Sequence, residues 1–193
     1  MDQIYAELLK FKKSPLYKYR TENKYLPVLG EGSLTAKIMF VGEAPGRKEA
    51  ESGRPFCGAS GKLLDELLAS VKLKREDVYI TNIVKDRPPE NRDPTPEEKE
   101  LYAPFLDRQI EIIKPKVVAA LGRHSMEYLM YHFGLESKLE PISQAHGKAF
   151  EVKAPYGKIS VVALYHPAVA IYNRNQKATL IKDFKIMKKK VLL

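Results

Sequence analysis

The stretch Ile38–Gly46 (IMFVGEAPG) decides the fold class, because an apolar run stops abruptly at a turn built from glycine and proline. Consecutive apolar residues before such a turn are typical of a strand that is buried on both faces. Three further segments have the same character and occur at Val78–Val84, Val117–Leu121 and Ile159–Leu164. The sequence therefore predicts four core strands.

Outside these predicted strands, apolar residues recur at the spacing typical of an α-helix. The predicted helices cover residues 3–11, 61–72, 96–113, 125–133 and 177–193. Thr95 is a good N-cap before Pro96, which suits the first helical position. We expect residues 12–32 to be loop-like and residues 142–150 to hold a turn and an edge strand. The predicted class is α/β, a three-layer α/β/α sandwich around a central, mostly parallel four-stranded sheet.

The composition suits one domain with a full-sized core, and we predict a single domain over residues 1–193. A formal net charge of +9 favours a polyanionic partner, because Lys and Arg displace counterions from a phosphate backbone; a generally basic surface is the alternative. The sequence shows neither an apolar run that could cross a bilayer nor a signal-peptide pattern. The single Cys57 excludes an intrachain disulfide, so we predict an intracellular protein.

Three polar side chains lie at or just beyond the ends of the predicted strands. Glu43 follows the first strand, Asn82 lies in the second and His166 follows the last. Ligands of parallel sheets bind beyond the carboxyl ends of the strands, so we expect these side chains to share one site. Asn82 offers a donor and an acceptor that suit a pyrimidine edge, and His166 can donate to charge on a leaving group. An Asn82 that bridges two loops and a structural His166 are the alternatives.

Neighbouring loops supply further candidates. Phe56 lies in a glycine-rich loop, where its ring could stack on a base or instead fill the core. Gly42 lets the backbone approach a ligand closely, and Ser60 lies where free N–H groups at a helix start could bind phosphate. Basic residues expected along the rim are Lys85, Arg87 and Arg92. The remaining histidines lack metal-ligand spacing and receive no role, so we predict no metal site; they are His124, His132 and His146.

Five motifs in this order resemble the uracil-DNA glycosylase superfamily, and most closely its family 4 branch. They are Gly-Glu-Ala-Pro-Gly at 42–46, Gly-Arg-Pro-Phe at 53–56, Thr-Asn-Ile-Val-Lys at 81–85, Arg-Pro-Pro-x-Asn-Arg at 87–92 and His-Pro-Ala at 166–168. Each motif alone is weak, whereas five in order at family-like intervals are specific. The likeness extends from about residue 14 to residue 184.

The resemblance implies a role for each candidate side chain. Phe56 would stack on an extruded uracil, and Asn82 would hydrogen-bond its pyrimidine edge and so reject cytosine. His166 would stabilise the uracil anion, and Glu43 would place a water or steady the cationic sugar. Glu49 would shield the face that a thymine methyl would meet. The wedge that fills the vacated base stack would include Ala168, Val169 and Tyr172.

The chain departs from family 4 at the positions that bind a four-iron, four-sulfur cluster in that family. The positions that match the four cluster cysteines are Ser14, Tyr17, Asp86 and Tyr102. None of these residues provides the thiolate that such clusters need. We therefore predict no cluster and no other cofactor, with hydrogen bonding and packing among Tyr17, Asp86 and Tyr102 in its structural place.

The resemblance and the residues together predict a monofunctional uracil-DNA glycosylase that leaves an abasic site in single- or double-stranded DNA. The alternatives are a glycosylase for hypoxanthine or a mismatched pyrimidine, and a non-catalytic damage-binding protein. Asn82 favours uracil as the substrate base. A side chain that can stabilise a leaving group, such as His166, argues against a non-catalytic damage-binding protein, which needs none. Covalent capture of the abasic site is set aside, because the segment Arg87–Thr95 is short and lacks histidine. We expect a monomer in a prokaryotic cytoplasm, associated with the nucleoid and not with a membrane.

Overall fold

The computed structural model of the protein describes residues 1–173 and 175–191. Over these ranges the strands form one mixed sheet and are, in chain order, β1 (Glu31–Gly32), β2 (Ile38–Gly42), β3 (Tyr79–Asn82), β4 (Val117–Leu121), β5 (Ala149–Ala154) and β6 (Gly157–Leu164). Their spatial order is β1-β3-β2-β4-β6-β5. The four inner strands run parallel, and β1 and β5 pair antiparallel at the two edges.

The predicted α/β class is confirmed, but the predicted count of four strands is wrong, because each edge carries one more strand. The β1 edge is only two residues long, follows Gly30 and ends at Gly32, and both glycines have positive φ. So short a strand carries no periodicity that a sequence could show. The predicted turn and edge strand in residues 142–150 correspond to the start of β5, which extends further, to Ala154.

Helices flank the sheet on both faces. In chain order they are α1 (Asp2–Leu9), α2 (Leu16–Glu22), α3 (Arg47–Ser52), α4 (Ala59–Ser70), α5 (Pro96–Ile113), α6 (Arg123–His132), α7 (Ile142–Ala145), α8 (Val169–Tyr172) and α9 (Gln176–Lys189). The segment expected to be a loop thus contains α2, which buries Leu16 and Arg20. The predicted terminal helix is present, and its last two residues, 192 and 193, lie outside the described residues. None of the helices in the described ranges is long and apolar enough to span a membrane.

The start of α5 confirms the predicted cap. Thr95 Oγ1 accepts a hydrogen bond from Glu98 N at 3.2 Å, and the Glu98 carboxylate accepts one from Thr95 N at 2.8 Å. This reciprocal capping box satisfies two backbone donors that would otherwise be unpaired. It also fixes where the preceding loop, residues 83–94, must end.

The sheet separates two apolar cores. Along β2, Met39 and Val41 pack into one core with α5 and α6, whereas Ile38 and Phe40 pack into the other with α4 and α9. Burial on both faces explains why the inner strands are continuously apolar rather than alternating. The carboxyl ends of the strands therefore remain as the place where polar side chains can gather.

Candidate active site

A cavity of about 270 Å³ lies beyond the carboxyl ends of β2, β3 and β6. Its walls come from the loop after β2, the end of β3 and the second residue after β6. The lining residues are Ala44, Pro45, Gly46, Glu49, Phe56, Ser60, Asn82, Asn91 and His166. Three of the side chains expected to share one site thus line this cavity, namely Phe56, Asn82 and His166, whereas Glu43 is not in its lining.

Gly42 forms the contact point between two of these walls. A Cβ atom at this position would lie 2.3 Å from Asn82 Oδ1 and 2.8 Å from Phe56 Cζ. Since real Cβ atoms do not approach other atoms so closely, any side chain here would push the amide and the ring apart. Gly42 thus sets the spacing of the cavity walls.

Asn82 is almost fully buried, with 2 % of its surface exposed. The chain that follows it is held against the β2 turn, because Ile83 N donates to Gly42 O at 2.9 Å and Val84 N donates to Glu43 O at 3.0 Å. These two bonds continue the parallel pairing of β2 and β3 beyond the sheet. The amide is therefore carried on a rigid backbone.

Phe56 adopts a strained backbone conformation, with φ of 48°. A bulky residue in the left-handed region costs about 1–3 kcal/mol and persists only where the surroundings hold it. Here Glu49 Oε1 accepts hydrogen bonds from Cys57 N and Gly58 N, both at 2.9 Å. The Phe56 ring lies 5.8 Å from the His166 ring, centroid to centroid.

Glu49 thus fixes the Phe56 loop, a role that sequence reasoning missed. Its carboxylate occupies two backbone donors just before α4, close to the predicted phosphate seat at Ser60. A negative charge at that end of a helix is favourable, because the unpaired N–H groups carry partial positive charge. The predicted contacts of Ser60 with DNA and of Glu49 with a thymine methyl stay predictions.

The tautomer of His166 follows from one hydrogen bond. Ala168 N donates to His166 Nδ1 at 3.1 Å, so Nδ1 carries no proton and the neutral ring holds its proton on Nε2. Burial lowers the pKa of His166, which favours this neutral form. The ring therefore presents an N–H donor to the cavity without carrying a charge.

Glu43 lines an adjoining cavity of about 240 Å³ that shares Ala44 to Gly46, Asn91 and His166 with the first. Burial raises the pKa of Glu43, and the nearby His124 and Lys99 oppose that rise. Lys99 Nζ lies 3.4 Å and His124 Nδ1 3.7 Å from Glu43 Oε1. The carboxylate is thus held between two basic groups at the edge of the site.

His124 and Lys99 are site residues that sequence reasoning missed. His124 received no role, although it lies just past the carboxyl end of β4, so its position along the chain was a usable signal. Ligand atoms of Glu43, Asp93 and His124 lie within 4.8 Å of one another, a spacing that could hold a divalent cation. Lys99 already supplies positive charge to Glu43, and the absence of a metal stays a prediction.

The predicted rim of basic residues needs correction. Lys85 is wrong as a surface contact, because its side chain is fully buried beneath β3. Arg87 is also turned inward: its guanidinium donates to Asn91 Oδ1 at 2.7 Å and to Tyr25 Oη at 2.9 Å. Arg92 is 43 % exposed beside Glu98, so its contact with DNA stays a prediction.

The predicted wedge lies directly after His166, in and before the short helix α8. Tyr172 is 89 % exposed and Ile171 is 46 % exposed, whereas Val169 and Ala168 are half-buried. These two side chains are available to a partner, because they stand in water a few residues after His166, which lines the cavity. Insertion of this segment into DNA stays a prediction that the exposure supports.

The fold and this site define an α/β protein that takes a ligand beyond the carboxyl ends of parallel strands, between an aromatic ring, an amide and a neutral imidazole. The family model described as "Uracil DNA glycosylase superfamily" matches residues 29–187. The type-4 uracil-DNA glycosylase of Archaeoglobus fulgidus is 47 % identical over 185 residues, which cover 96 % of this chain and 90 % of that protein.

Two further relatives agree with this match. The type-4 uracil-DNA glycosylase of Sulfurisphaera tokodaii is 45 % identical over 186 residues, with 96 % of this chain and 82 % of the relative covered. A type-5 uracil-DNA glycosylase of Thermus thermophilus is 36 % identical over 155 residues, with 72 % and 68 % covered. The chain belongs to the uracil DNA glycosylase superfamily and, within it, to the type-4 branch.

The four positions that the resemblance assigns to cluster cysteines, Ser14, Tyr17, Asp86 and Tyr102, lie close together around Arg20. The Tyr102 hydroxyl lies 2.5 Å from Asp86 Oδ2 and 2.9 Å from Ser14 Oγ. Arg20 Nη1 donates to Asp86 Oδ1 at 3.0 Å, and its guanidinium lies 5.0 Å from the centroid of the Tyr17 ring. We call these five residues the Arg20 network.

The residues of the Arg20 network do not fit an iron–sulfur cluster. Serine, tyrosine and aspartate offer oxygen atoms, whereas such clusters are held by thiolates. The oxygens are also engaged with one another and with Arg20, which donates to Leu8 O and Leu9 O, both at 2.8 Å. The predicted contact between Asp86 and Tyr102 is present, and Tyr17 joins them through Arg20, which sequence reasoning missed.

Proposed function

We propose that the protein is a monofunctional uracil-DNA glycosylase, which extrudes deoxyuridine from DNA and hydrolyses its N-glycosidic bond. The products are free uracil and an abasic site, the starting point of base excision repair. The observation that carries the proposal is the convergence of Phe56, Asn82 and His166 around one cavity. The names of the type-4 relatives support it.

Recognition of the base rests on the two walls that Gly42 brings together. The Phe56 ring stacks on the extruded base, an interaction worth about 1–3 kcal/mol. The Asn82 amide donates to one atom and accepts from the next along the pyrimidine edge. Cytosine presents the opposite order of donor and acceptor there, so it leaves polar groups unpaired and is rejected.

Catalysis rests on His166 and Glu43. As the glycosidic bond lengthens, negative charge develops on the base, and His166 Nε2–H donates to it; one such donor is worth about 10²–10³ in rate. Positive charge develops on the sugar, and the Glu43 carboxylate stabilises it or orients the attacking water. Water is the nucleophile, so the reaction needs no cofactor, and we propose that no strand cleavage follows.

Base extrusion costs a few kcal/mol, which contacts with DNA offset. We assign this task to the segment Ala168–Tyr172 as the wedge, with Ser60 and Arg92 on phosphates. Since Lys85 and Arg87 are turned inward, they are not part of this surface.

We further propose that residues 1–193 form one domain and that the protein acts as a monomer on uracil-containing DNA, single- or double-stranded. Its place would be the cytoplasm of a prokaryote, at the nucleoid. The Arg20 network takes the structural place of the cluster. Finding about four iron atoms per chain after purification without oxygen would contradict this.

Release of free uracil from single-stranded and U:G duplex oligonucleotides tests the function directly. We expect release by the wild type, reduced about tenfold or more by Asn82→Ala and by His166→Ala, which corresponds to roughly 1.4 kcal/mol each. Strand breaks that form without heat or alkali would contradict the monofunctional mechanism. Tight binding of uracil-DNA without release of the base would contradict the glycosylase and favour a reader of damage.

A further inference from the structure

Lys85 is a buried cation that the proposed reaction does not use. Its side chain is fully buried, and its Nζ donates to Asn82 O at 2.6 Å, to Gln109 Oε1 at 2.6 Å and to Thr81 Oγ1 at 2.7 Å. An ammonium group has three protons, and each finds one acceptor here. All three protons of the Lys85 ammonium are therefore hydrogen-bonded.

All three partners are neutral oxygen atoms. A buried ammonium paired only with neutral groups costs free energy, because no counter-charge replaces the lost hydration. Burial accordingly lowers the pKa of Lys85 well below its ordinary value. An apolar side chain of similar length would avoid that cost but would leave three buried acceptors without a donor, so stability alone does not single out a lysine here.

What Lys85 holds is the peptide group that follows the base-recognising residue. Its ammonium binds the carbonyl of Asn82, and the N–H of the same peptide group, on Ile83, donates to Gly42 O at 2.9 Å. The peptide is thus fixed from both sides. Gln109 accepts from the same ammonium at 2.6 Å, and its own Nε2 donates elsewhere, to Leu29 O at 2.8 Å.

We propose that Lys85 is a positioning residue that fixes the backbone of Asn82 and thereby aims its amide at the base. The inference rests on the proposed function. Recognition by a side-by-side donor and acceptor depends on direction, and a misplacement of about 1 Å can cost about 10²-fold in rate. Lys85 would thus control both the rate of uracil release and the rejection of cytosine, without touching the substrate.

A double-mutant cycle with Asn82 tests this inference. The variants are Lys85→Met, Asn82→Ala and the two combined, with Gln109→Met as a control that alters the same buried network but leaves the bond to Asn82 O. The measurement is the single-turnover rate constant for uracil release, taken below the melting temperature of every variant. Affinity for undamaged DNA is measured in parallel.

We expect Lys85→Met to lower the rate constant about tenfold or more in the wild-type background, but less than about threefold when Asn82 is already alanine. Gln109→Met should stay within about threefold of the wild type, and affinity for undamaged DNA should not change. If Lys85→Met has the same effect in both backgrounds, or no more effect than Gln109→Met, the inference is wrong.

A second variant keeps the test decisive if Lys85→Met does not fold. Lys85→Gln keeps N–H donors for the buried acceptors, but its side chain is one atom shorter and cannot hold Asn82 O in the same place; it is put through the same cycle, with the same two outcomes. Absence of uracil release by the wild type itself would instead contradict the proposed function. The failure of the inference and the failure of the function are therefore distinguishable.

Discussion

The base cavity and the Arg20 network lie at opposite ends of the five-residue stretch 82–86, but their polar side chains differ in whether they have hydrogen-bond partners within the protein. The Asn82 amide faces an open cavity. Asp86, with none of its surface exposed, accepts hydrogen bonds from Arg20 and Tyr102. Unpaired polar groups are costly when buried, so they are kept only where a ligand will pair with them. One short segment thus serves recognition at its start and stability at its end.

The difference predicts two separable classes of variant. Changes around the cavity should alter the rate of uracil release and leave the free energy of unfolding nearly unchanged. Changes in the Arg20 network should do the reverse. Lys85 lies between the two regions and is expected to affect both.

The largest expected effect is the loss of stability in Asp86→Ala. The variant leaves the Arg20 guanidinium buried without its carboxylate, and breaking such a pair costs about 3–5 kcal/mol. Urea unfolding measures it, and the folded protein should still release uracil. Arg54→Ala is the control, because its exposed pair with Glu31 is worth less than about 1 kcal/mol. Equal losses in the two variants would show that the network is not a structural centre.

Next in size is the loss of rate in His166→Ala. Removal of the N–H donor should lower the single-turnover rate constant about 10²–10³-fold, while the free energy of unfolding changes little. His132→Ala makes the same chemical change where His132 Nε2 lies 3.6 Å from Asp107 Oδ1, outside the cavity linings, and should leave the rate near that of the wild type. A His166→Ala enzyme within about threefold of wild type would remove His166 from the mechanism.

A smaller effect is expected from Gly42→Ala. The added methyl would meet Asn82 Oδ1 and the Phe56 ring, so the cavity walls must separate and the rate of uracil release should fall about tenfold. Gly134→Ala, where no atom lies within 4 Å of the added carbon but φ is +65°, is the control for a strained methyl outside the cavity linings. If both variants release uracil at the wild-type rate, the contact that Gly42 permits is not needed for catalysis.

The smallest expected effect is a shift in the pH dependence. Glu43 acts as a carboxylate, so uracil release should be full above its pKa and fall about tenfold per pH unit below it. Because burial raises the pKa of Glu43, this fall should begin at a higher pH than for an ordinary glutamate. Glu43→Gln should be slower but lack this acid limb, and an unchanged limb in that variant would assign the titration to another group.

Apolar runs and capping residues, which are local sequence patterns, correctly predicted the inner strands and one helix start. The four parallel strands, the cap at Thr95 and the gathering of Asn82 and His166 follow from apolar runs and from the geometry of parallel sheets. The short β1 edge did not follow, because pairing with β3 rather than its own residues makes it a strand.

Three of the missed side chains share one physical cause. Lys85, Arg20 and His124 are basic residues, which a single sequence places on the surface by default. Each is instead held by partners far away in the chain, such as Asp86 for Arg20 and Gln109 for Lys85. Such long-range pairing leaves no periodic signal, so only the folded chain reveals it.

The exposed Tyr172 has a calorimetric consequence. The free protein keeps this ring and the neighbouring Ile171 in water, where they order solvent at a cost in free energy. Any process that removes them from water carries a negative change in heat capacity. If the segment enters the DNA stack, the enthalpy of binding should become more favourable as temperature rises, and substituting serine for Tyr172 should flatten that dependence.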